Sequence, residues 1–312
     1  MSITIQTGKI KTNVHLSKIA VQYNNASFVM EKLAPAFNVT KESDKFRKYK
    51  RDGYFSGAPK RADGAPAEEA SLAYDDDTYT TFERAVKDIV TDRSMNNADD
   101  VFNLKSDTTK FLTEKIKLGV ELDAAILLTG ATGGISSASP DHVVTPSNLW
   151  DDYTNSDPES DIATGKEAVT ARTARMPNVI LIPPHVERYL AHHPQVKELR
   201  KYWDPTALTK GGLPNRLWDM EVVIAPAIYD SAKQGIATAT MAYVWGKNVI
   251  MAYVNPADTI TLARTFVLKS RNMQVTTWRD DEREGDWIRV VNNYVPKMIC
   301  SDCGYLLAGV IT

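Results

Sequence analysis

The sequence has few of the features that mark secreted, membrane-spanning or nucleic-acid-binding proteins. It contains 2 cysteines in 312 residues, too few for a disulfide framework, which fits folding in a reducing compartment. No apolar run reaches the ~18 residues that a membrane span requires. The N-terminus has neither the basic stretch nor the apolar run of a secretory signal. The formal net charge of −2 gives no overall attraction for nucleic acid or anionic lipid.

Catalytic motifs are also absent. There is no Gly-x-Ser-x-Gly motif, and the glycine-rich stretch 130–134 follows a predicted helix and lacks the Lys-Ser/Thr of a phosphate loop. Cys300 and Cys303 form a lone CxxC between two predicted strands, so two structural cysteines beside a turn are favoured over a zinc or redox site. We therefore predict no catalytic residue, no cofactor and no metal site.

Three histidines lie in one predicted helical stretch. His185 and His192 can share a helix face, but no Glu has the spacing of a zinc protease motif, and His193 follows directly. Ordinary polar helix positions are the favoured interpretation. If the chain were a cytoplasmic α/β enzyme, its site would lie near His185 and His192.

The most regular pattern in the sequence predicts one long helix over 97–129. Apolar residues such as Leu104, Leu118 and Leu122 recur at helical spacing between charged positions. Asn97 is the predicted N-cap and Gly130 the predicted stop. A helix of roughly 45 Å needs an equally long surface to pack on.

The N-terminal residues 1–45 predict an arm, because their scattered apolar side chains cannot close a core. The stretch 41–51 is basic with interleaved aromatic residues. A nucleic-acid stripe is one interpretation. A solvated strand face or a site for an acidic neighbouring subunit is favoured.

Residues 46–90 predict a two-stranded excursion with extended segments at 46–55 and 79–90. The stretch between them is rich in Gly, Ala, Pro and acidic residues. Asp75, Asp76 and Asp77 lack the Gly and Glu spacing of a calcium loop, so a solvated charge run is favoured. An isolated two-stranded ribbon is barely stable in water, so we expect it to pack on something outside its own domain.

The rest of the chain predicts an α+β architecture in which one domain is inserted into another. A proline-containing linker over 135–158 leads into alternating helices and strands, and 145–257 is assigned to a mixed α/β domain. Antiparallel strands return from residue 258, and 305–311 is expected to finish their sheet. Residues 91–144 and 258–312 would together form the flanking domain, whose sheet supplies the surface for the long helix.

This order of parts resembles the major capsid proteins of tailed bacteriophages, which have the Hong Kong 97-type fold. The resemblance covers essentially the whole chain: an N-terminal arm (1–45), an extended E-loop (46–90), a peripheral domain (91–144 and 258–312) with a spine helix (97–129), and an inserted axial domain (145–257). Residues 178–194 look like the axial strand and helix of the family. The run 275–295 is similar to its strand, charged turn and strand.

The resemblance implies a structural protein that assembles with itself into hexamers and pentamers of an icosahedral shell around phage double-stranded DNA. The DNA would be held without sequence specificity, and no membrane would be involved. Because the arm starts close to Met1, a separate scaffolding protein is expected, with a portal protein and a decoration protein as further partners. The chain would be located in the virion after assembly in the host cytoplasm. An encapsulin-type compartment shell, which shares the fold, stays open as an alternative.

The resemblance also implies which side chains meet neighbouring subunits. The candidates are charged residues, with one aromatic residue, on the ribbon: Arg47, Lys48, Arg51, Phe55, Lys60, Arg61, Glu68, Glu69, Asp75, Asp76 and Asp77. Some family members form isopeptide bonds between an E-loop lysine and a neighbour's asparagine. Lys60 and either Asn292 or Asn293 are residues of the right types.

Overall fold

The computed structural model describes residues 28–49, 57–58, 60–64, 66–67, 69, 74–97, 103–130, 134–135, 143–146, 148–200, 212–232, 240–257 and 260–312. Its helices are α1 (Met30–Leu33), α2 (Asp92–Asn97), α3 (Leu104–Thr129), α4 (Pro158–Thr173), α5 (Pro184–His192) and α6 (Pro194–Arg200). Its strands are β1 (Ala36–Val39), β2 (Ser43–Tyr49), β3 (Tyr74–Thr80), β4 (Phe82–Thr91), β5 (Val143–Val144), β6 (Val179–Ile182), β7 (Arg216–Leu217), β8 (Met220–Ile224), β9 (Ile228–Asp230), β10 (Met241–Tyr243), β11 (Val249–Ala252), β12 (Ala263–Leu268), β13 (Gln274–Asp280), β14 (Gly285–Met298) and β15 (Gly304–Leu307). Single 3₁₀ turns cover Lys269–Arg271 and Ser301–Cys303. The predicted α+β class is confirmed.

A five-stranded sheet is built around β14. Its order is β1-β12-β14-β13, and β4 also pairs with β14. Over 285–291 strand β14 lies between β13 and β4, and over 294–298 it pairs with β12. With 14 residues, β14 is long enough to give this sheet an extended surface.

Helix α3 packs on this sheet and spans about 39 Å. Its buried side chains recur mostly every four positions, which places them on one face. They contribute to a core shared with β14, whose Tyr294 hydroxyl also donates a hydrogen bond to Asp123 at 2.9 Å. The buried aliphatic residues of this helix face are Leu112, Ile116, Val120, Ala124 and Leu128. The five-stranded sheet therefore supplies the long packing surface that a helix of this length requires.

The long helix begins later than the predicted Asn97. Its N-cap is Asn103, whose side chain accepts a hydrogen bond from the Ser106 amide at 3.1 Å. Asn97 instead ends the short helix α2. Both asparagines precede helix-compatible residues, so composition does not distinguish the two caps. Residues 98–102 lie outside the described residues.

Residues 28–39 pair with the five-stranded sheet and bury several side chains against it, although the sequence predicted an arm over 1–45. Val29, Met30 and Leu33 are buried, and β1 pairs in parallel with β12. These few apolar residues close no core alone, but they fill the space between α3 and β12, which come much later in the sequence. The arm predicted for 1–27 lies outside the described residues.

A single buried carboxylate joins three parts of the chain. Glu121 on α3 is only 1% exposed. Its oxygens accept hydrogen bonds from the Met30 amide at 2.9 Å, the Val29 amide at 3.3 Å and the Trp245 indole at 2.7 Å. The N-terminal segment, the long helix and the connection between β10 and β11 therefore meet at this side chain.

The stability of the protein should depend on pH through Glu121. Burial raises the pKa of this carboxyl above its usual 4.5, although hydrogen bonds from Trp245, Met30 and Val29 oppose the rise. The folded state thus favours the protonated form, and this contribution is full below the unfolded pKa and is lost as the pH rises through the folded pKa.

The neutral variant Glu121→Gln isolates this effect. Urea unfolding of both proteins from about pH 4 to about pH 8 should show the wild type losing stability relative to the variant as the pH rises. Carboxylates shared by both proteins cancel in the difference. A difference that stays flat, or grows in favour of the wild type with pH, would contradict the assignment.

A second sheet has the order β5-β15-β11-β6-β8-β7. Strands β6, β11 and β15 are buried on both faces. In β6, Leu181 faces the core shared with α3, while Ile180 and Ile182 face a second core with α4 and α5. Burial on both faces explains why these strands are continuous apolar runs in the sequence.

The prediction that 305–311 finishes the sheet of the long helix is wrong. Strand β15 leaves β14 through the turn 301–303 and pairs with β11 and β5 in the six-stranded sheet. Its Leu306 packs in the core of the long helix, and Tyr305 and Leu307 pack in the other core. An apolar tripeptide carries no signal for which of two sheets it will join, because strand pairing is non-local.

Helix α4 packs closely on the six-stranded sheet at Gly165. A Cβ atom built at this position would lie 2.7 Å from Tyr305 Cδ1 and would also overlap the Met251 methyl group. We expect Gly165→Ala to lower the free energy of unfolding by about 1–3 kcal/mol despite the better helix propensity of alanine. The matched control is Gly119→Ala on α3, where the Cβ meets only the Tyr294 hydroxyl at 3.7 Å. In urea unfolding the control should be neutral or stabilised, and equal effects of both variants would refute the close approach.

Candidate subunit interfaces

Strands β2 and β3 form a two-stranded ribbon of their own. The pairing runs from Ser43 opposite Thr80 to Tyr49 opposite Tyr74. The predicted second strand over 79–90 is wrong, because β4 pairs with β14. Thr81 separates β3 from β4, and its amide and hydroxyl both donate to the Glu42 carbonyl, at 2.8 and 3.2 Å.

The predicted charge run lies on β3 and is largely compensated within the chain. Asp77 binds Lys48 at 2.7 Å and Lys297 at 3.1 Å. Partial burial opposes ionisation, but the two lysines and the Thr78 amide outweigh it and lower the pKa of Asp77. These pairs use part of the cationic charge of 41–51, which weakens the interpretation of that stretch as a nucleic-acid stripe.

The outer charges of the ribbon are more exposed. Asp76 approaches Arg47 at 3.9 Å, and both side chains are about half exposed. The Arg47 guanidinium also stacks on the Tyr74 ring at 3.9 Å from its centroid. Asp75 is exposed and lies opposite Lys48 in the ladder. Of the predicted contact residues, Arg47, Asp75 and Asp76 therefore face solvent.

Aromatic side chains fix the base of the ribbon to the five-stranded sheet. Tyr79 stacks on Phe266 of β12 with ring centroids 4.6 Å apart, and Phe46 lies 5.4 Å from the same ring. Lys48 also donates to the Met298 carbonyl at 3.2 Å. The expectation that the ribbon packs only outside its own domain is therefore corrected for its base, which is anchored to its own chain.

The predicted contact residues nearer the tip divide into two groups. Lys60, Arg61 and Glu69 are described and exposed. The other predicted residues, Arg51, Phe55 and Glu68, lie outside the described residues. The proposed cross-link partners are buried: Asn292 is 6% and Asn293 2% exposed. A bond from Lys60 of a neighbour would require these amides to become accessible.

A second exposed surface lies on the sheet face opposite α3. Alternation along β14 points Ile288 towards the helix, so Trp287 and Arg289 point away from it. Trp278 is 39% exposed and stacks near Trp287 with centroids 6.2 Å apart. This surface was not predicted from the sequence, although the period-two spacing of Trp287 and Arg289 is a signal for it.

Two cations lie side by side on this tryptophan face. Lys87 pairs directly with Arg289 across the strands, and its ammonium lies 4.3 Å from the Trp287 ring centroid. Arg289 donates to the Thr276 hydroxyl and lies over the Trp278 ring. Within the described ranges neither cation has an ion pair with a carboxylate. In addition to the ribbon, this face is therefore a second candidate contact surface.

Comparisons with known proteins identify the fold. No family model matches the chain. It is 25% identical over 315 residues to the major capsid protein of Burkholderia phage BcepMu, an alignment that covers 95% of both proteins. A phage-related protein from Bordetella bronchiseptica RB50 superposes with a TM-score of 0.67 at 23% identity, over 95% of this chain and 96% of that one. The capsid of cyanophage P-SCSP1u gives a TM-score of 0.63 at 10% identity, over 92% and 89%.

The chain has the phage capsid-protein fold. This fold alone does not separate phage shells from compartment shells, since the SrpI encapsulin of Synechococcus elongatus PCC 7942 superposes with a TM-score of 0.58 at 11% identity, over 95% of this chain and 94% of that one. The sequence relative is a phage protein, and the alignment with it covers 95% of both chains.

In this capsid-protein fold the three histidines of the enzyme alternative have separate partners. The His185 ring stacks on Tyr243 with centroids 4.7 Å apart, and His192 Nδ1 lies 2.8 Å from the Arg188 carbonyl. His193 is buried 3.2 Å from the Ser156 hydroxyl, and burial lowers its pKa. Each of the three rings therefore contacts a different neighbour.

Within the described ranges, no helix has the length and apolar character to cross a membrane. In the same part of the chain, no group of three or more His, Cys, Asp or Glu side chains is arranged to hold a metal ion.

Proposed function

We propose that the chain is the major capsid protein of a phage, a structural subunit that assembles with copies of itself into a closed shell. The observation that carries the proposal is the match to a major capsid protein over 95% of both sequences. The capsid-protein fold, found over 95% of the chain, agrees with it. The function follows from contacts between copies and requires no catalytic group.

Within this proposal each part of the fold has a role. The ribbon is the E-loop, α3 the spine helix, the five-stranded sheet the peripheral domain and the six-stranded sheet the axial domain. The exposed Lys60, Arg61 and Glu69 support a tip that reaches a neighbouring subunit. The two anchors of the ribbon base, Tyr79 and Asp77, would keep the tip at a fixed angle for that contact.

The finer features of the assembly belong to the same proposal. The subunits form hexamers and pentamers of an icosahedral shell in the host cytoplasm, with a separate scaffolding protein, a portal protein and a decoration protein as partners. Double-stranded DNA is enclosed without sequence-specific contacts. The near-neutral net charge of −2 supports this, because a strongly basic shell would bind the genome to its wall.

The test is sedimentation and negative-stain electron microscopy of the purified chain, expressed alone and with a candidate scaffolding protein. We expect shells, tubes, or free hexamers and pentamers. A monomer or dimer under all these conditions would overturn the proposal. Co-purified nucleic acid, or instead a specific protein cargo, then distinguishes a genome shell from an enzyme compartment.

A further inference from the structure

The two cysteines lie at the joint between the two sheets. Cys300 follows β14 of the five-stranded sheet, and Cys303 directly precedes β15 of the six-stranded sheet. Neither cysteine is in a disulfide bond. The position of this CxxC between two predicted strands favoured two structural cysteines, and the structure adds the geometry of the turn that holds them.

A tight turn brings the two cysteines together. The Cys303 amide donates to the Cys300 carbonyl at 3.2 Å, which closes a four-residue turn. Such turns hold their first and last Cα atoms within about 7 Å. A disulfide spans Cα atoms about 4.4–6.8 Å apart. The turn therefore places the two cysteines close to the separation that a disulfide requires.

The two thiols differ in access and reactivity. Cys300 is partly exposed, whereas Cys303 is 0% exposed within the core. The hydrogen bond from Cys303 lowers the pKa of Cys300 to about 7, although burial and the Asp302 charge oppose it. The lowered pKa favours the thiolate of Cys300, which is the form that attacks a disulfide.

We propose that Cys300 and Cys303 are a reversible dithiol–disulfide pair that closes when the protein meets a low-molecular-weight disulfide. The Cys300 thiolate attacks one sulfur of that disulfide, forms a mixed disulfide and releases one thiol. Cys303 then gives up its proton, attacks the Cys300 sulfur and expels the second thiol. Two protein thiols are oxidised and one small disulfide is reduced to two thiols.

A disulfide between Cys300 and Cys303 would covalently fix the turn that connects the two sheets. The Cys300 amide donates to the Leu262 carbonyl at 3.2 Å, and the Cys303 carbonyl accepts from the Tyr253 amide at 2.8 Å. Leu262 and Tyr253 lie on the connection between the two sheets, so oxidation fixes the turn that both sheets share. This consequence rests on the proposed function: subunits stay reduced during assembly in a cytoplasm and oxidise in the released particle.

The experiment treats the folded full-length protein with oxidised glutathione, then traps the remaining thiols with iodoacetamide in urea, so that the buried Cys303 can also react, and measures intact mass. Wild type should lose both alkylation sites together, carry no glutathione, and regain both sites with dithiothreitol. The variant Cys303→Ser should retain glutathione on Cys300, because no second thiol can displace it. The variant Cys300→Ser should leave Cys303 unmodified.

Two results would overturn the inference: two alkylatable thiols in oxidised wild type, or equal glutathione adducts on both variants. Wild type unfolded in urea and oxidised in parallel controls for the reagent. Shell formation, followed separately by electron microscopy, tests the proposed function. The two ideas can therefore fail independently.

Discussion

Replacing Glu121 with alanine should cost about 3–5 kcal/mol of unfolding free energy, a large share of the total stability of most domains. The substitution leaves the amides of Val29 and Met30 and the Trp245 indole without their acceptor. Each stranded buried donor costs roughly 1–3 kcal/mol, and the three effects are not independent.

Urea unfolding by circular dichroism and tryptophan fluorescence measures this loss. The matched control is Glu114→Ala on the same helix, a partly exposed position where we expect a change within about 0.5 kcal/mol. Native-state hydrogen exchange should also quicken at Val29 and Met30 in the Glu121 variant. If both alanine variants unfold alike, Glu121 does not join the three segments as the structure indicates.

The contacts of Glu121 illustrate which features the sequence could predict. The long helix, the ribbon and the return of strands after residue 258 have periodic or compositional signals, and all three are present. A buried carboxylate at position 121 has no such signal, because charged residues also occupy the solvent side of the same helix. Its donors lie more than 90 positions away in sequence, so only the folded chain reveals its role.

The two wrong strand predictions, for 79–90 and 305–311, also arise from contacts between segments that are distant in the sequence. The period-two pattern of a strand continues from Tyr79 into β4, and no Gly or Pro marks a break near Thr81. The two strands nevertheless have different partners: β3 pairs with β2, and β4 pairs with β14. Likewise, β15 could have continued the sheet of β14, but its side chains fill two cores at once. Local sequence determines that a segment is a strand, whereas its partner depends on packing elsewhere.

The contact residues of the ribbon were also only partly predictable from the sequence. The charged contact residues of the ribbon were predicted from the family resemblance, and Arg47, Lys60 and Asp76 are exposed as a contact surface requires. That Asp77 is held by Lys297, 220 positions later, required the tertiary structure. The roles of all these residues between subunits stay predictions.

Removal of the ribbon tip should abolish closed shells and leave the subunit folded. The structure defines the cut: replacing 53–73 with a short Gly-Ser turn keeps β2 and β3, whereas a deletion through Asp77 would also remove the contacts of the base with Lys48 and Lys297. Loop length enters closure entropy only logarithmically, so the unfolding free energy should change by about 1 kcal/mol or less.

Sedimentation and electron microscopy test whether closed shells form, and circular dichroism of the same samples tests whether the subunit is folded. A same-length Gly-Ser replacement of 53–73 distinguishes lost contacts from lost reach: it should fail like the deletion if side chains such as Lys60 and Glu69 make the contact. It should assemble if only length matters. Closed particles of normal size from the shortened variant would refute the E-loop role, because the tip would then contribute nothing to contacts between copies.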